Sequence, residues 1–413
     1  MNILITNIWL VNYAGTEVYV RDLAIALKNR GIHVEVYSPD LGTVAAEIRE
    51  AGILVTDSTE ELVNKPDLIH AHHFIPTMDV IVRFPDTGVI YFLHDRTNIV
   101  DTPPKHRNIV KYMAVDYNCI DRLVIDNNIP VESTGVLYNW VDTSRFKLRE
   151  TIHQKPKKAL VFSNTANVDN YYKTIKEACL RLGITADGIG LSLESSVAHP
   201  EKVLNEYDIV FAKAKAAMEA LSTGAGVIVC DIRGLGGMVS TENYEYFRKY
   251  NFGMKTLTRP ITPELILEEI KKYDQTECRI TAEFIRKDAD LNLYVDTLLV
   301  HYNAAIKEFS ERKRKMNSYE EERTIQEYLF QKKAIFLSKI KEVEQQKTTI
   351  AELNGKISKQ NTGLAELQEE NNRQKAEIDQ LHLYLQICEN SLIKKLSRFV
   401  RNPAKFLAKF YKA

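Results

Sequence analysis

The 413-residue chain has few cysteines, and its five are odd in number and scattered without a CxxC pair. They predict neither a disulfide framework nor a thiolate metal site. No apolar run approaches the roughly 18–20 residues that a helix needs to span a bilayer. The opening residues, MNILITNIWL, lack the basic segment and the cleavage site of a secretion signal. We therefore expect a cytoplasmic protein without an integral membrane span.

Acidic side chains are missing from the last 23 residues of the chain. Residues 391–413 hold seven basic side chains and no acidic one, which leaves 48 basic against 55 acidic residues elsewhere. The formal net charge of zero therefore hides a mildly acidic body and a strongly basic tail. A local positive charge of this kind attracts anionic surfaces.

Short aliphatic runs alternate with segments of helical period over the first 150 residues, as in parallel βαβ units. The runs that we interpret as strands are NILITNI, HVEVYSP, ILVTD, DLIHAHH, GVIYFLHD and RLVIDNN. Two segments, TEVYVRDLAIALKNRG and TVAAEIREAG, have the period of helices, and Gly31 fits the position just after the first. We predict a Rossmann-like domain over residues 1–150 that closes near GVLYNWVDTSRF.

The same alternation restarts after a polar connector, residues 147–157, which contains Pro156. The predicted strands are ALVFSN, GIGLSLE, DIVFAK and GVIVCD, and the predicted helices are YYKTIKEACLRLG and KAAMEALSTG. We predict a second Rossmann-like domain with closing helices over residues 151–317. The fold class is then α/β with two doubly wound domains, and ligands should gather in the cleft between them, at the carboxyl ends of the strands.

A heptad pattern follows over residues 318–390 and predicts a long coiled-coil helix. Positions spaced by seven from Phe336 are Val343, Ile350, Ile357, Leu364, Asn371, Ile378 and Leu385. A lone surface helix is the alternative, but it would leave this apolar edge in water. We therefore expect self-association, and Asn371 at an a position favours a parallel homodimer. Gly355 and Gly363 are weak points, since each costs about 1 kcal/mol relative to alanine.

Residues 391–413, SLIKKLSRFVRNPAKFLAKFYKA, form a basic amphipathic tail. Its basic side chains surround a helical face that is apolar. The apolar side chains near that face are Leu392, Leu396, Phe399, Phe406 and Phe410. Pro403 is expected to split the segment into two helices. This composition suits an anionic membrane surface, and the alternative is packing on the protein or on a partner helix. Nucleic acid is not expected, because no groove-reading motif is present.

The segment KAKAAMEALSTGAGVIVCD, residues 213–231, places the carboxylate of Glu219 among small side chains. One interpretation is an ion pair with Lys215, four residues earlier on the helix. The other is that Glu219 accepts hydrogen bonds from a ribose diol, while a diphosphate reaches the N–H groups that open the helix. Lys213 and Lys215 would add positive charge for that diphosphate.

Two further groups lie where predicted strands end. AGTE, residues 14–17, precedes the first helix, and Gly15 either forms a simple turn or allows a ligand to approach the backbone closely. HAHH, residues 70–73, and His94 end neighbouring strands, but alternation turns His73 away from His70 and His72, so no metal site is expected. DAD, residues 288–290, lies in a predicted helix and is interpreted as solvated surface.

Five segments in order resemble the retaining, nucleotide-sugar-dependent glycosyltransferases of the GT-B fold, in the group called family 4. The segments are AGTEVYVRDLAIALKNRGIHVEVYSP, DLIHAHH, VIYFLHD, GVLYNWVDTSRF and MEALSTGAGVIVCD, and the resemblance covers about residues 1–305. It implies a nucleotide-diphosphate sugar in the second domain, an acceptor in the first, and no metal or other cofactor. It also implies that Glu219 binds the donor ribose, that Gly15 contacts the ligand in the cleft and that His94 lies near the transferred sugar.

Two positions depart from the family pattern. Phe211 stands where the family has a second glutamate, and SNTANVDN, residues 163–170, lacks the Arg and Lys that clamp the diphosphate. Lys213, Lys215 and Arg233 are candidates for that clamp, and Asn164 is a further candidate for donor binding. We expect a hexosyl-type transferase that acts on a glycan or lipid-linked acceptor in cell-surface polysaccharide assembly. The alternative is a catalytically degenerate scaffold that assembles a complex through its coiled coil.

Overall fold

The computed structural model describes residues 1–195, 197–311 and 318–401. Contacts within the chain group its residues into two compact units, Met1–Lys332 and Lys333–Ala413. The first unit holds both sheets, and the second holds most of one long helix. The domain boundaries that we placed at residues 150, 317 and 390 stay predictions.

The first sheet is parallel throughout and has the strand order β3-β2-β1-β4-β5-β6-β7. Its strands are β1 (Asn2–Thr6), β2 (His33–Tyr37), β3 (Leu54–Thr56), β4 (Leu68–His72), β5 (Gly88–Leu93), β6 (Ile109–Ala114) and β7 (Thr134–Val136). Its helices are α1 (Gly15–Asn29), α2 (Thr43–Glu50), α3 (Phe74–Arg83) and α4 (Tyr117–Asp121). The order reverses between β1 and β4, which is the switch point of a doubly wound sheet.

The second sheet has the order β12-β11-β10-β8-β9, and β12 alone is antiparallel. Its strands are β8 (Lys158–Phe162), β9 (Thr185–Ile189), β10 (Ile209–Ala212), β11 (Gly226–Asp231) and β12 (Gly234–Met238). Helices α5 (Tyr171–Arg181) and α6 (Ala214–Ser222) connect its parallel strands. This order reverses between β8 and β10, so the second sheet also has a switch point.

Continuous apolar runs explain why both sheets are covered on two faces. Every residue of β5 (GVIYFL) and of β11 (GVIVCD) is buried. Strands in the middle of a parallel sheet have no solvent face, so their sequences lack the alternation of half-exposed strands. Each sheet accordingly separates two hydrophobic clusters. The predicted fold class, two doubly wound α/β domains followed by a long helix, is confirmed.

The chain returns to the first sheet after completing the second. The closing helices are α7 (Tyr244–Lys249), α8 (Pro263–Ile270), α9 (Gln275–Asp288) and α10 (Leu291–Glu311). Leu298 and Tyr302 of α10 are fully buried in the hydrophobic cluster that contains Ile5 of β1. The helix that we predicted through DAD is wrong: α9 ends at Asp288, and the Asp290 carboxylate accepts a hydrogen bond from the Asn292 amide (2.8 Å) at the start of α10.

Two predicted strands in these sheets are also wrong. RLVIDNN is helical, since Arg122–Asp126 is a π-helical continuation of α4. Cys119 and Leu123 are both buried, and their spacing of four fits one face of a helix. GIGLSLE is displaced, because β9 ends at Ile189 and Leu191–Leu193 is a 3₁₀ turn.

The last described helix is α11 (Ser318–Arg401), whose first turns belong to the unit Met1–Lys332. The Tyr328 hydroxyl donates to the Asp79 carboxylate (2.6 Å), and the Lys332 ammonium lies 2.8 Å from the same group. Tyr37 donates to its other oxygen (2.9 Å). From Lys333 onward α11 remains helical, and the coiled coil stays a prediction. The tail beyond Arg401, with Pro403, Phe406 and Phe410, lies outside the described residues.

Candidate active site

A cleft of about 500 Å³ lies where the carboxyl ends of the two sheets meet. In parallel sheets this edge carries the loops and helix N-termini that follow each strand, which is why polar side chains gather there. Six of the seven predicted site residues line the cleft: Gly15, His94, Asn164, Lys213, Lys215 and Glu219. Arg233 is not among the described residues that line it.

Glu219 lies on α6 and is the most deeply buried of the predicted donor contacts, with 6% of its surface exposed. Burial raises the pKa of its carboxyl to about 7, and the positive charge of Lys215 opposes that rise. The Lys215 ammonium lies 3.6 Å from the carboxylate, so the ion pair that we considered as one interpretation is present. The pair is compatible with ligand binding, because both residues also line the cleft.

Lys213, which directly precedes α6, and Lys215 in its first turn are already engaged within the protein. The Lys213 ammonium lies 2.6 Å from the Asp231 carboxylate, at the end of β11. The Lys215 ammonium lies 3.7 Å from the centre of the Trp140 ring and 3.4 Å from the Trp140 carbonyl oxygen. A bound anion would therefore compete with carboxylates for these cations.

The start of α6 is strained. Ala214 has a φ of +49°, a left-handed conformation that is uncommon for a residue with a β-carbon. Its amide donates to the Phe252 carbonyl (2.8 Å), which holds the turn in place. The first-turn amides of a helix have no intrahelical acceptor, and Lys215 and Ala216 bring that turn to the cleft. The strain positions a helix N-terminus that can receive an anion.

Helix α1 brings a second N-terminus to the cleft. A β-carbon at Gly15 would meet no atom within 4 Å, so packing does not require the glycine. The open space above it belongs to the cleft. Glu17 follows in the first turn, and burial raises the pKa of its carboxyl.

A series of hydrogen-bonded side chains connects His94 to the hydrophobic interior beside the first sheet. His94 Nε2 lies 3.0 Å from His72 Nδ1, and His72 Nε2 lies 2.9 Å from His70 Nε2. His70 Nδ1 ends the series at the Tyr302 hydroxyl, 2.6 Å away. Burial lowers the pKa of all three imidazoles, that of His94 to about 3, so they are neutral at physiological pH. Because each contact shares one proton, the tautomer of His94 is coupled to those of His72 and His70.

His73 is separate from this series and was not predicted as a site residue. It has a φ of +61°, and its Nδ1 accepts a hydrogen bond from the Ile8 amide (3.3 Å). Its Nε2 lies 3.7 Å from Asp101 Oδ1, a buried atom that has no hydrogen-bond partner among the described residues. Burial raises the pKa of Asp101 to about 7. No local motif marks Asp101, which ends the 3₁₀ turn Ile99–Asp101, 28 residues after His73.

Asp95 also lines the cleft and was not predicted as a site residue from the sequence. Its carboxylate accepts hydrogen bonds from the backbone amides of Thr97 (2.5 Å) and Asn98 (2.9 Å). Burial alone would raise the pKa of this carboxyl, but those hydrogen bonds outweigh it and the pKa is lowered. Its position two residues after β5 was a usable signal, because residues that follow a strand at this edge face the cleft.

Asn164 and Arg233 have other contacts in this structure. The Asn164 amide donates to the Tyr13 carbonyl (3.2 Å), and its side-chain oxygen accepts from the Leu191 amide (3.2 Å). Arg233 is exposed, and its guanidinium contacts the Met254 sulfur. Their roles in donor binding stay predictions.

Each of the four cations in the described lining is paired with carboxylates. Besides the two lysines, Arg21 pairs with Asp22 and Glu47, and Arg145 pairs with Asp22 and Glu201. Among the described residues, no group of three or more His, Cys, Asp or Glu side chains is arranged to hold a metal ion. The site therefore offers buried carboxyls, neutral imidazoles, paired cations and two helix N-termini.

No protein-family model and no curated protein sequence matches the chain. Solved structures do match its fold. HepE of Anabaena, solved with UDP and glucose, is 14% identical with a TM-score of 0.55, over 74% of this chain and 100% of HepE. A glycosyltransferase from Rickettsia africae is 13% identical with a TM-score of 0.54, over 76% and 99% of the two chains. Sucrose-phosphate synthase from Thermosynechococcus elongatus is 9% identical with a TM-score of 0.51, over 73% and 98%.

These sequence identities are too low to assign the chain to a family, but the structural matches show its fold. The matches span nearly the whole of each solved chain and about three quarters of this one. The chain therefore has the two-domain GT-B fold that glycosyltransferases use, extended by α11.

Proposed function

We propose that the protein is a glycosyltransferase that transfers a hexosyl group from a nucleotide-diphosphate sugar, with retention, to a glycan or lipid-linked acceptor in cell-surface polysaccharide assembly. The observation that carries the proposal is the placement of Glu219. It is a buried carboxyl on α6 that lines the cleft together with the first turn of the same helix. The fold resemblance agrees with this activity, but the argument for the activity rests on the residues of the site.

In this proposal the donor lies along α6. The ribose hydroxyls donate hydrogen bonds to Glu219, and the diphosphate accepts them from the first-turn amides at Lys215 and Ala216. Lys213 and Lys215 turn from their carboxylate partners toward the phosphates. The helix dipole and these cations then stabilise the leaving diphosphate, and the proposal includes no metal or other cofactor.

The transferred sugar lies toward the first sheet, between Gly15 and His94. A neutral imidazole can donate one hydrogen bond and accept another, so His94 can orient a sugar hydroxyl without adding charge. Its contact with His72 fixes the side of the ring that faces the cleft. The acceptor enters from the side of the cleft that the first sheet and its helices form. HepE, which was solved with UDP and glucose, supports a nucleotide sugar as the kind of donor.

The test measures nucleoside diphosphate released from a panel of nucleotide sugars with a glycan or lipid-linked acceptor. Glu219→Ala should weaken nucleotide binding by about 1.5–3 kcal/mol, the scale of a hydrogen bond to a charged group. Glu268→Ala is the matched control, since Glu268 is an exposed acid on α8 of the same half. If Glu219→Ala lowers the melting temperature and leaves the nucleotide affinity unchanged, the role of Glu219 is structural. The anomeric configuration of the product, read by NMR, tests retention.

A second candidate is a binding protein that keeps the fold without turnover. The pairing of all four lining cations with carboxylates favours it, because a diphosphate would have to displace those partners. Phe211, at the position of the family's second glutamate, is fully buried in a hydrophobic cluster. Nucleotide binding without release of diphosphate from any donor would support this candidate.

We also propose a cytoplasmic location with peripheral attachment to the inner face of the plasma membrane. None of the described helices combines the length and the apolar character that crossing a membrane requires. The attachment would depend on the basic tail, where Leu392 and Leu396 are exposed. Lipid-linked acceptors would then be within reach of the enzyme.

A further inference from the structure

Helix α11 carries an apolar seam that no other described residue covers. The seam consists of the a and d positions from Phe336 to Cys388, on a helix that continues through Gly355 and Gly363. Its apolar side chains at these positions are each 48–71% exposed: Phe336, Val343, Ile350, Leu353, Ile357, Leu364, Leu367, Ile378, Leu381 and Leu385. An apolar stripe of this length on a single helix indicates a partner surface.

We propose that the seam binds a second copy of this chain, parallel and in register, as a two-stranded coiled coil. Charges beside the seam support that arrangement. A parallel dimer pairs each g position with the e position five residues later on the other helix. Glu342 then faces the second copy's Lys347, and Glu370 faces its Lys375. No g–e pair of the seam brings like charges together.

An antiparallel dimer pairs e with e and g with g, so the flanking charges combine differently. With full overlap of the two seams, Lys347 comes near the second copy's Lys375, whereas Lys356 comes near its Glu370. The repulsion of the first pair opposes the attraction of the second, while the parallel dimer has attractive pairs only. The charges therefore favour the parallel direction.

The residue types at the seam select two strands. Val343, Ile350, Ile357 and Ile378 are β-branched a residues, and Leu353, Leu367 and Leu381 are leucines at d. The other d positions before Cys388 are polar: Lys339, Gln346, Gln360 and Gln374. β-branched residues at a with leucine at d favour parallel dimers, and one asparagine at an a position, here Asn371, specifies register. The seam and its flanks provide about 30 residues per chain, comparable with the roughly 20–30 of a standard interface.

Cys388 gives a direct test of direction and register. It occupies a d position and is exposed, whereas Cys119, Cys179, Cys230 and Cys278 are buried. In a parallel, in-register dimer the two Cys388 side chains face each other, at the close approach that a disulfide requires. In an antiparallel dimer they lie at opposite ends of the seam, about 80 Å apart at 1.5 Å per residue.

The experiment oxidises the full-length protein with copper phenanthroline and separates it on a non-reducing gel. Most of the chain should form a covalent dimer, and Cys388→Ser should form none. On the Cys388→Ser background, Leu381→Cys at the preceding d position should restore the dimer. Ala376→Cys, at an outward f position, should not. Equal cross-linking by Ala376→Cys would mean random collision and would overturn the proposal.

Sedimentation of the reduced protein supplies the mass. We expect twice the 47.3 kDa chain mass at micromolar concentration. A trimer, a monomer, or a dimer that does not cross-link at Cys388 each contradicts the proposal. Leu364→Glu with Leu367→Glu should give monomers, and Ala365→Glu at the exposed b position should not. None of these residues lines the cleft, so the outcome is independent of the proposed activity.

Discussion

Glu219 is an acid held where water solvates its charge poorly. The pKa of its carboxyl is about 7 in the folded protein, against an ordinary value of 4.5. The unfolded chain releases this proton near pH 4.5, whereas the folded protein retains it until about pH 7. The free energy of unfolding therefore falls as the pH rises through that interval, by on the order of 3 kcal/mol from this group.

Glu219→Gln should therefore raise the melting temperature at pH 8 and leave it nearly unchanged at pH 5. Glutamine keeps the shape of the neutral carboxyl and carries no charge to desolvate. The pKa of about 7 already includes the stabilisation of the charged form by the Lys215 ammonium. Calorimetry at both pH values measures it, with Glu268→Gln as the exposed control. A melting-temperature difference that is the same at both pH values would contradict the assigned pKa.

Lys213 and Lys215, at the start of α6, should affect phosphate binding specifically. The Lys213→Ala, Lys215→Ala double variant should lose affinity for a nucleoside diphosphate far more than for the nucleoside, because only the diphosphate carries the opposing charge. Without Lys213, the buried Asp231 carboxylate would also repel the phosphates. Titration calorimetry with both ligands measures the ratio, and Lys173→Ala on exposed α5 is the control. Equal losses for both ligands would place the phosphates elsewhere.

At the scale of secondary-structure elements, long strands and helices could be predicted from the sequence, and short or glycine-rich ones could not. β1, β5 and β11 are unbroken aliphatic runs, so their burial is visible in the sequence. β12, GLGGM, has no such signal. It is a strand because glycine allows close approach: a β-carbon at Gly234, where φ is +153°, would lie 2.8 Å from the Arg259 carbonyl oxygen.

In the site, contacts within one element could be predicted from the sequence, and contacts between elements could not. Lys215 and Glu219 lie on one helix, so their spacing alone predicted that they would be neighbours. The pairing of Lys213 with Asp231 joins two elements 18 residues apart. The contact of His73 with Asp101 joins a strained strand end and a loop. Such contacts depend on tertiary packing, which local patterns do not encode.

The first turns of α11 should contribute to the stability of the unit Met1–Lys332. Tyr328→Phe removes one of three donors to the buried Asp79 carboxylate and should cost about 1.5–3 kcal/mol, as for a hydrogen bond to a charged group. Tyr384→Phe, on an exposed turn of the same helix, is the matched control. Urea unfolding followed at the aromatic residues measures both. Equal midpoints for the two variants would mean that Tyr328 adds nothing to this contact.

For the whole molecule, a parallel dimer has a consequence for the tail. Both chains would run in the same direction along the coiled coil, so both basic tails would leave from the same end. Two tails tethered together bind a surface more tightly than one, because the second binds at a high effective concentration. If both proposals hold, dimerisation and membrane attachment would therefore be linked.

Liposome flotation tests that link. Each basic residue near an anionic leaflet contributes about 1 kcal/mol, and apolar side chains add burial in the interface. Full-length protein should float with anionic vesicles and be released by high salt, whereas a chain that ends at Asn390 should stay at the bottom. The Leu364→Glu, Leu367→Glu variant keeps the tail but loses the dimer contact, so it should float less than Ala365→Glu. If the shortened chain floats like the full-length protein, the tail does not attach it to membranes and must be assigned to protein contacts.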